Sequence, residues 1–236
     1  MIVLTADQRG SRSGSDLVGA GLALLARAAP GPLRGYERTA GDELQGVPAD
    51  AAQAVRALQA LVADGRWSVG LGVGPVELPL PASTRAGRGP AYTAAREAVE
   101  AAKTRPHHVS LVAHGLPDEA ARAVADADAV LTLALAVALR WSEEAREAVA
   151  LVSDGATQTE AARTLGVTRQ AVGQRLGAAL YRQQADAVAV VVRLLEQADA
   201  ASGPAPDPAP QPSAPPASPP GPHPAPRTRH DGAGAW

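Results

Sequence analysis

The chain has 236 residues, of which 46% are apolar and 19% are charged, and its formal net charge is −2. This length allows two folded units, and the small negative charge excludes a general electrostatic attraction to nucleic acid, so any DNA contact must depend on a local patch. Cysteine is absent, which excludes disulfide bonds and thiolate metal sites.

The chain opens with a predicted strand, a helix and a hairpin. The N-terminus, MIVLTADQRG, reads as a strand and has no basic region before an apolar core, so we expect no secretory signal and a cytoplasmic location. The segment SDLVGAGLALLARAA predicts an apolar helix with Ser15 or Asp16 as its N-cap. The segment PLRGYERTAGDELQGVP alternates around Gly41 and Asp42, which is typical of a β-hairpin.

Two helices and two strands follow. DAAQAVRALQALVADG is an amphipathic helix that Asp50 caps and Gly65 ends. WSVGLGVG is a glycine-rich strand, GPAYTAAREAVEAAK is a helix, and HHVSLVAHG is a strand preceded by His107 and His108, which we interpret as solvated. The order βαββαβαβ predicts an α+β fold for residues 1–115, a ferredoxin-like α/β sandwich with helices on a mainly antiparallel sheet.

The sequence pattern of residues 116–200 predicts helices only. Two alanine-rich helices are expected, from Asp118 to Ala127 and from Ala129 to Arg140. The apolar part of the second is shorter than the roughly 20 residues of a membrane span, so we interpret it as a buried helix and expect no membrane partner. In WSEEAREAVALVSDG, Ser142 is the predicted N-cap and Gly155 the end of the helix.

The last segment, residues 201–236, is rich in proline, alanine and serine. Such a composition offers little apolar surface to bury, and it predicts a disordered tail.

Residues 157–176, TQTEAARTLGVTRQAVGQRL, have the pattern of two short helices joined by a tight turn. Thr157 and Glu160 have the spacing of a capping box. Gly166 permits a left-handed turn, and Thr168 is the predicted cap of the second helix. This spacing of alanine, glycine and valine resembles the helix-turn-helix of sigma-factor region 4 and of response-regulator DNA-binding domains.

The resemblance implies that the second helix enters the major groove of double-stranded DNA. Arginine pairs with guanine and glutamine with adenine, while other side chains meet phosphates. The expected DNA-binding residues are Arg163, Thr168, Arg169, Gln170, Gln174 and Arg175. The alternative is a helical hairpin that serves packing only.

The segment RQQADAVAVVVRLLEQADA carries an apolar stripe. Ala185, Val188, Val192 and Leu195 follow one another at spacings of three, four and three, as in a coiled coil. Two interpretations stay open: a homodimer with two DNA-reading heads, or packing of this stripe against the first domain of the same chain.

Two aspartates of the first domain suggest a cation site. Asp7 ends the first strand and Asp42 lies in the hairpin turn, so an antiparallel sheet brings their carboxylates close enough to share Mg²⁺, which bridges to phosphates. The alternative is that both aspartates are caps or turn formers. The residues expected to meet the phosphates of a nucleotide are Gly10, Ser11, Arg12 and Arg96.

The same region resembles the palm domain of class III nucleotide cyclases and diguanylate cyclases. The resemblance depends on the strand that ends in Asp7, on RTAGDEL, on SVGLGVG and on GPAYTAAREAVEAAK. With ADQRGSR near the start and a helical domain appended, the chain also resembles the SatD family. In cyclases the helix matching AYTAAR carries a transition-state asparagine and arginine; Arg96 matches the arginine, but Tyr92 replaces the asparagine. We therefore expect nucleotide binding without cyclisation.

These patterns favour a DNA-binding transcriptional regulator in which a cyclase-like domain, residues 1–115, precedes a helix-turn-helix domain, residues 116–200. The alternative is an Mg²⁺-dependent nucleotide-processing enzyme whose helical domain serves packing or dimerisation. Arg169, Gln170 and Gln174 favour the first interpretation. Asp7, Asp42 and Arg96 favour the second.

Overall fold

The computed structural model describes residues 1–11 and 14–203. Within these residues the chain is a mixed α/β fold, with one five-stranded sheet and eight α-helices. The predicted disordered tail lies outside the described residues from position 204 onward. No helix of the described part is long and apolar enough to cross a membrane.

The sheet has the predicted mainly antiparallel form. Its strand order is β2-β3-β1-β4-β5, and only the edge pair β4 and β5 is parallel. The strands are β1 (Ile2–Gln8), β2 (Arg34–Arg38), β3 (Glu43–Val47), β4 (Trp67–Val73) and β5 (Val109–Ala113). The hairpin of β2 and β3 turns at Gly41, which adopts a φ of 51°, so the predicted turn is confirmed.

Three helices alternate with the strands in the predicted order. They are α1 (Val18–Ala28), α2 (Ala51–Asp64) and α3 (Pro90–Ala102). The predicted ends of α2 are confirmed, because Asp50 accepts a hydrogen bond from the Gln53 amide and Gly65 ends the helix at a φ of 75°. Alternation along β1 and β4 sends one set of side chains toward α1 and α2 and the other toward α3.

The start of α1 differs from the prediction. Leu17 occupies the N-cap position, without a side-chain cap, so neither Ser15 nor Asp16 is the N-cap. The buried side chain of Gln8 explains the shift, because its amide donates to the Ser15 carbonyl and its oxygen accepts from the Leu17 amide. These bonds fix the preceding segment, and Asp16 accepts from the Val18 amide instead.

Five helices complete the described chain. They are α4 (Asp118–Ala138), α5 (Glu143–Ser153), α6 (Gln158–Leu165), α7 (Arg169–Ala178) and α8 (Tyr181–Ala200). The prediction of two helices before α5 was wrong, because α4 continues through Asp128. That carboxylate makes tertiary contacts, accepting hydrogen bonds from Arg105 and from the Leu111 amide, and so does not interrupt the helix. The interpretation of its apolar part as a buried helix holds for one face only, since Leu133 is 69% exposed.

The apolar side chains form separate clusters. The largest lies between the sheet and α1, α2, α4 and α8, and a second lies among α5, α6 and α7. The stripe of α8 belongs to the first cluster, where Leu195 is fully buried and Val188 and Val192 are partly buried. Packing within the chain therefore accounts for most of this stripe, and the homodimer stays a prediction.

Candidate functional site

A cavity of about 920 Å³ opens where β1 ends beside the β2–β3 turn; we call it the Asp7 pocket. Asp7 lies opposite Glu43 in the register of β1 and β3, and the Gln8 amide donates to the Asp42 carbonyl at 3.1 Å. The structure therefore brings together both predicted metal ligands and the predicted phosphate-facing Gly10 and Ser11. The residues that line the pocket are Asp7, Gln8, Arg9, Gly10, Ser11, Gly14, Asp16, Arg38, Gly41, Asp42, Ser68, Lys103 and His108.

Lys103 is the counter-charge of Asp7. Its Nζ lies 3.3 Å from Asp7 Oδ2 and 2.7 Å from Glu100 Oε1. Burial raises the pKa of Asp7 above its ordinary value; Lys103 opposes this effect, and the neighbouring Asp42 adds to it. The ionised carboxylate is thus held in a setting that disfavours its charge, which is common where a residue is placed for binding.

Sequence reasoning missed Lys103. The ion pair forms because α3 ends near the end of β1, and the chain separates the two residues by almost one hundred positions. The only available signal was that this is the single lysine of the chain, at the last position of a predicted helix.

His107 and His108 are half-buried, so they are solvated only in part. Both adopt left-handed backbone conformations, with φ of 61° and 54°, which are unfavourable for residues other than glycine. His108 lines the Asp7 pocket, and its buried Nδ1 has no hydrogen-bond partner among the described residues.

The other predicted nucleotide-binding residues do not join the pocket. Arg96 lies on the exposed face of α3 and does not line the cavity, while Arg12 lies outside the described residues. Tyr92, at the expected asparagine position, is buried in a small apolar cluster with Val3 and Ala95. It therefore supplies no polar group to the pocket.

Arg38 also lines the pocket, and it links two segments of the chain there. Its guanidinium pairs with the Asp16 carboxylate and donates to the Gly41 carbonyl, linking the hairpin turn to the segment before α1. Hydrogen bonds from the Val18 amide and from Arg38 lower the pKa of Asp16. Most charges around the pocket are thus already paired within the chain.

The second candidate surface lies on α6 and α7. The capping box of α6 is confirmed, with the Thr157 hydroxyl accepting from the Glu160 amide and the Glu160 carboxylate accepting from the Thr157 amide. Gly166 adopts the predicted left-handed turn at a φ of 66°. Thr168 caps α7 by accepting from the Ala171 amide. Val172 and Leu176 bury the inner face of α7.

Five of the six predicted DNA-binding residues are exposed on this surface. They are Arg163, Thr168, Arg169, Gln170 and Gln174, which we call the α7 face. Arg175 differs, because its side chain is 25% exposed and turns toward α5. Its Nη1 lies 3.5 Å from the Glu144 carbonyl and 3.9 Å from the Glu147 carboxylate, so it braces α7 against α5.

The segment of the chain that contains the α7 face is rich in arginine. From Ala161 to Ala185 the chain contains four arginines and no acidic residue. Of these arginines, Arg163, Arg169 and Arg182 are exposed. A chain of net negative charge needs such a local excess of arginine for contact with nucleic acid; acidic residues adjoin this one, since Glu160 precedes the segment and the Glu147 carboxylate lies 3.9 Å from Arg175.

Comparison of the chain with protein-family models, with curated proteins and with solved structures gives no match. The resemblances to nucleotide cyclases, to the SatD family and to sigma-factor region 4 therefore stay predictions. The contacts and exposures described above are what bears on function.

Proposed function

We propose that the chain is a regulator that binds double-stranded DNA through the α7 face. One observation carries the proposal. Arg169, Gln170 and Gln174 are exposed and make no side-chain hydrogen bond or ion pair with a described residue. Other side chains cap α7 and pack its inner face against the apolar cluster. The three side chains are therefore available to a ligand.

Helix geometry places these residues on one side of α7. At about 100° per residue, Arg169, Gln170 and Gln174 span an arc of about 140°. Gly173 lies within that arc and has no side chain, so the helix backbone can approach another molecule closely there. Arginine and glutamine carry paired hydrogen-bonding groups that match the edges of guanine and adenine in the major groove.

Two exposed arginines lie on the helices before and after α7. Arg163 lies near the end of α6 and Arg182 in the first turn of α8, and both are exposed. Contacts of arginine with phosphates fix the position of a protein on DNA without reading its sequence, and they release counterions. Binding should therefore weaken steeply as salt is added.

The salt dependence provides the test. We expect the full chain to bind a mixed-sequence DNA duplex in a fluorescence anisotropy titration, with a log–log salt slope set by its phosphate contacts. Arg163→Ala should weaken binding to all duplexes alike and reduce that slope by about one. Arg193→Ala removes an exposed arginine of α8 outside the segment 161–185, and it should leave the slope unchanged. Absence of duplex binding at low salt would refute the proposal.

A second candidate function is Mg²⁺-dependent nucleotide binding in the Asp7 pocket. It is favoured by two carboxylates at one cavity, with burial raising the pKa of Asp7. Asp7 and Asp42 would hold the cation, which would neutralise part of the charge of the nucleotide phosphates. Because Tyr92 lies in the core, the form we propose is binding without cyclisation, with the nucleotide as a signal for the DNA-binding region.

Calorimetry with a nucleoside triphosphate and Mg²⁺ tests this second function. Asp7→Asn and Asp42→Asn should each abolish the binding heat, whereas Asp126→Asn, an exposed aspartate of α4, should not. Lys103→Met should strengthen binding of Mg²⁺ alone, because the ammonium competes for Asp7. Equal binding by the two pocket variants and the wild type would leave both aspartates as turn formers, and a cyclic product would favour the enzyme.

A further inference from the structure

A second cavity, of about 640 Å³, lies between the two large apolar clusters; we call it the hinge cavity. Leu135 and Val188 line it from the cluster beneath the sheet. Val149, Trp141 and Tyr181 line it from the cluster of α5, α6 and α7. Each cluster thus presents apolar surface to the same space. Its volume lies in the range of small-molecule sites, about 300–1,000 Å³.

The polar groups of the hinge cavity favour an anion. Arg146 is the only charged residue in its lining, and it makes no ion pair with a described residue. The residue is exposed at the edge of the cavity, and its guanidinium makes one hydrogen bond within the described chain, to the Leu139 carbonyl at 3.3 Å. No acidic side chain lines the cavity. An apolar space with one uncompensated guanidinium fits a molecule that joins an apolar body to an anionic group.

Gln184 gives an independent indication of a ligand. The residue is only 8% exposed and lines the cavity, yet its side-chain amide has no hydrogen bond to any described residue. The amide atoms are not among the fully buried unpaired atoms of the described residues, so water in the cavity reaches them and a ligand can replace that water. A polar group in the cavity would satisfy this amide.

The cavity adjoins the two connections that join α5–α7 to the rest of the chain. One connection passes through Trp141 and the other through Ala179 and Leu180, and the Trp141 indole donates to the Ala179 carbonyl at 2.6 Å. Leu180 adopts a left-handed φ of 50°, which is unusual for a leucine. A molecule held in the cavity therefore contacts Trp141 in one connection and Tyr181, which directly follows the other.

We propose that the hinge cavity binds a small amphipathic anion, with its apolar body against Leu135, Val149 and Val188 and its anionic group at Arg146 and Gln184. Occupancy fixes the orientation of α5–α7 relative to α4 and α8, because the ligand fills the space between their clusters. Ligand binding stands independently of DNA binding. The expected change in DNA affinity rests on the proposed function, since a ligand shifts an equilibrium only through its different affinity for the two arrangements.

The experiment uses decanoate as the probe and decanol as its neutral counterpart, both titrated into the full chain by calorimetry. We expect one saturable decanoate site, weakened about tenfold or more by Arg146→Gln, while decanol binding changes less than about twofold. Arg193→Gln alters the same charge on an exposed residue outside the cavity and should match the wild type. Ala185→Phe, a substitution at an exposed lining residue, should block both probes. Circular dichroism confirms that each variant is folded.

Three results would overturn the site: no decanoate binding by the wild type, equal weakening by Arg146→Gln and Arg193→Gln, or full binding by folded Ala185→Phe. A duplex titration with and without saturating decanoate then separates the two proposals. If decanoate binds while no duplex does, the cavity proposal stands and the DNA proposal fails. If a duplex binds while decanoate does not, the DNA proposal stands and the cavity proposal fails.

Discussion

The Asp7 pocket and the α7 face differ in whether their charged side chains are paired within the chain. In the pocket, Asp7 is paired with Lys103 and Asp16 with Arg38. On the α7 face, Arg169 has no partner among the described residues. A ligand of the pocket must therefore replace interactions that already exist, whereas a ligand of the α7 face displaces only water and counterions. Exposed charges are also screened more strongly by salt than partly buried ones, so the two sites should differ in salt sensitivity.

The glycines of the two regions show the same contrast. A Cβ on Gly72 of β4 would lie 2.1 Å from the Ala95 nitrogen, so this glycine allows α3 to lie directly on the sheet. A Cβ on Gly177 of α7 would meet nothing within 4 Å. The sheet that carries the pocket is constrained by close backbone packing at Gly72, while the outer side of α7 is open at Gly177.

The largest expected effect comes from breaking that packing. Gly72→Val should lower the free energy of unfolding by about 3 kcal/mol or more, because backbone atoms of α3 must move. Gly177→Ala is the matched control and should raise it by up to about 1 kcal/mol, since alanine restricts the unfolded chain more than glycine. Urea unfolding followed by circular dichroism measures both. Equal stability of the two variants would contradict the tight contact of β4 with α3.

The next effect concerns DNA affinity. Arg169→Ala should cost about 1–3 kcal/mol of binding to a preferred duplex and spare binding to unrelated duplexes, because a base contact reads sequence. The fold should be unaffected, since the side chain is exposed and unpartnered. Competition gel shifts with preferred and scrambled duplexes give both quantities. If Arg169→Ala weakens binding to every duplex by the same amount, Arg169 contacts a phosphate and not a base.

A smaller effect is expected at the start of α6. Thr157→Ala removes the hydroxyl that accepts from the Glu160 amide and should lower the free energy of unfolding by about 1 kcal/mol. Thr159→Ala, at an exposed position two residues later, leaves the cap intact and serves as the control. Thermal unfolding compares them. If the two variants lose the same stability, the capping box contributes nothing.

The smallest effect concerns Asp7, where the substitution should raise the stability of the protein and not lower it. Because the pKa of Asp7 is raised in the folded protein, its ionisation opposes folding; the cost is absent below the unfolded pKa and complete above the folded pKa. Asp7→Asn should therefore unfold at a higher temperature than the wild type at about pH 7, and the difference should vanish toward about pH 3. A variant less stable than the wild type at neutral pH would mean that the Lys103 ion pair outweighs the burial of Asp7.

Features encoded by neighbouring residues could be predicted from the sequence. The Asp50 cap, the capping box of Thr157 and Glu160, and the turn at Gly166 each depend on residues within a few positions, and all three are confirmed. Alternation of apolar residues likewise gave the order of strands and helices, because side-chain periodicity differs between the two.

Features set by distant partners could not be predicted. The sequence pattern predicted that one helix ends before Asp128 and another begins after it. In the structure, the Asp128 carboxylate accepts hydrogen bonds from Arg105 and from the Leu111 amide, and α4 is continuous. The stripe of α8 left open whether its partner was a second copy of the chain or the first domain, and it gave no indication of α4. Lys103 acquires its role only where the end of α3 meets β1.

The most direct test of the central proposal is selection of bound duplexes from a random DNA pool by the full chain. A variant that combines Arg169→Ala, Gln170→Ala and Gln174→Ala is compared with Arg193→Ala at one salt concentration. We predict that the wild type and Arg193→Ala enrich the same short sequence and that the triple variant binds DNA without enriching it. Enrichment of the same sequence by the triple variant, or of none by the wild type, would contradict the assignment of the α7 face as the DNA-reading surface.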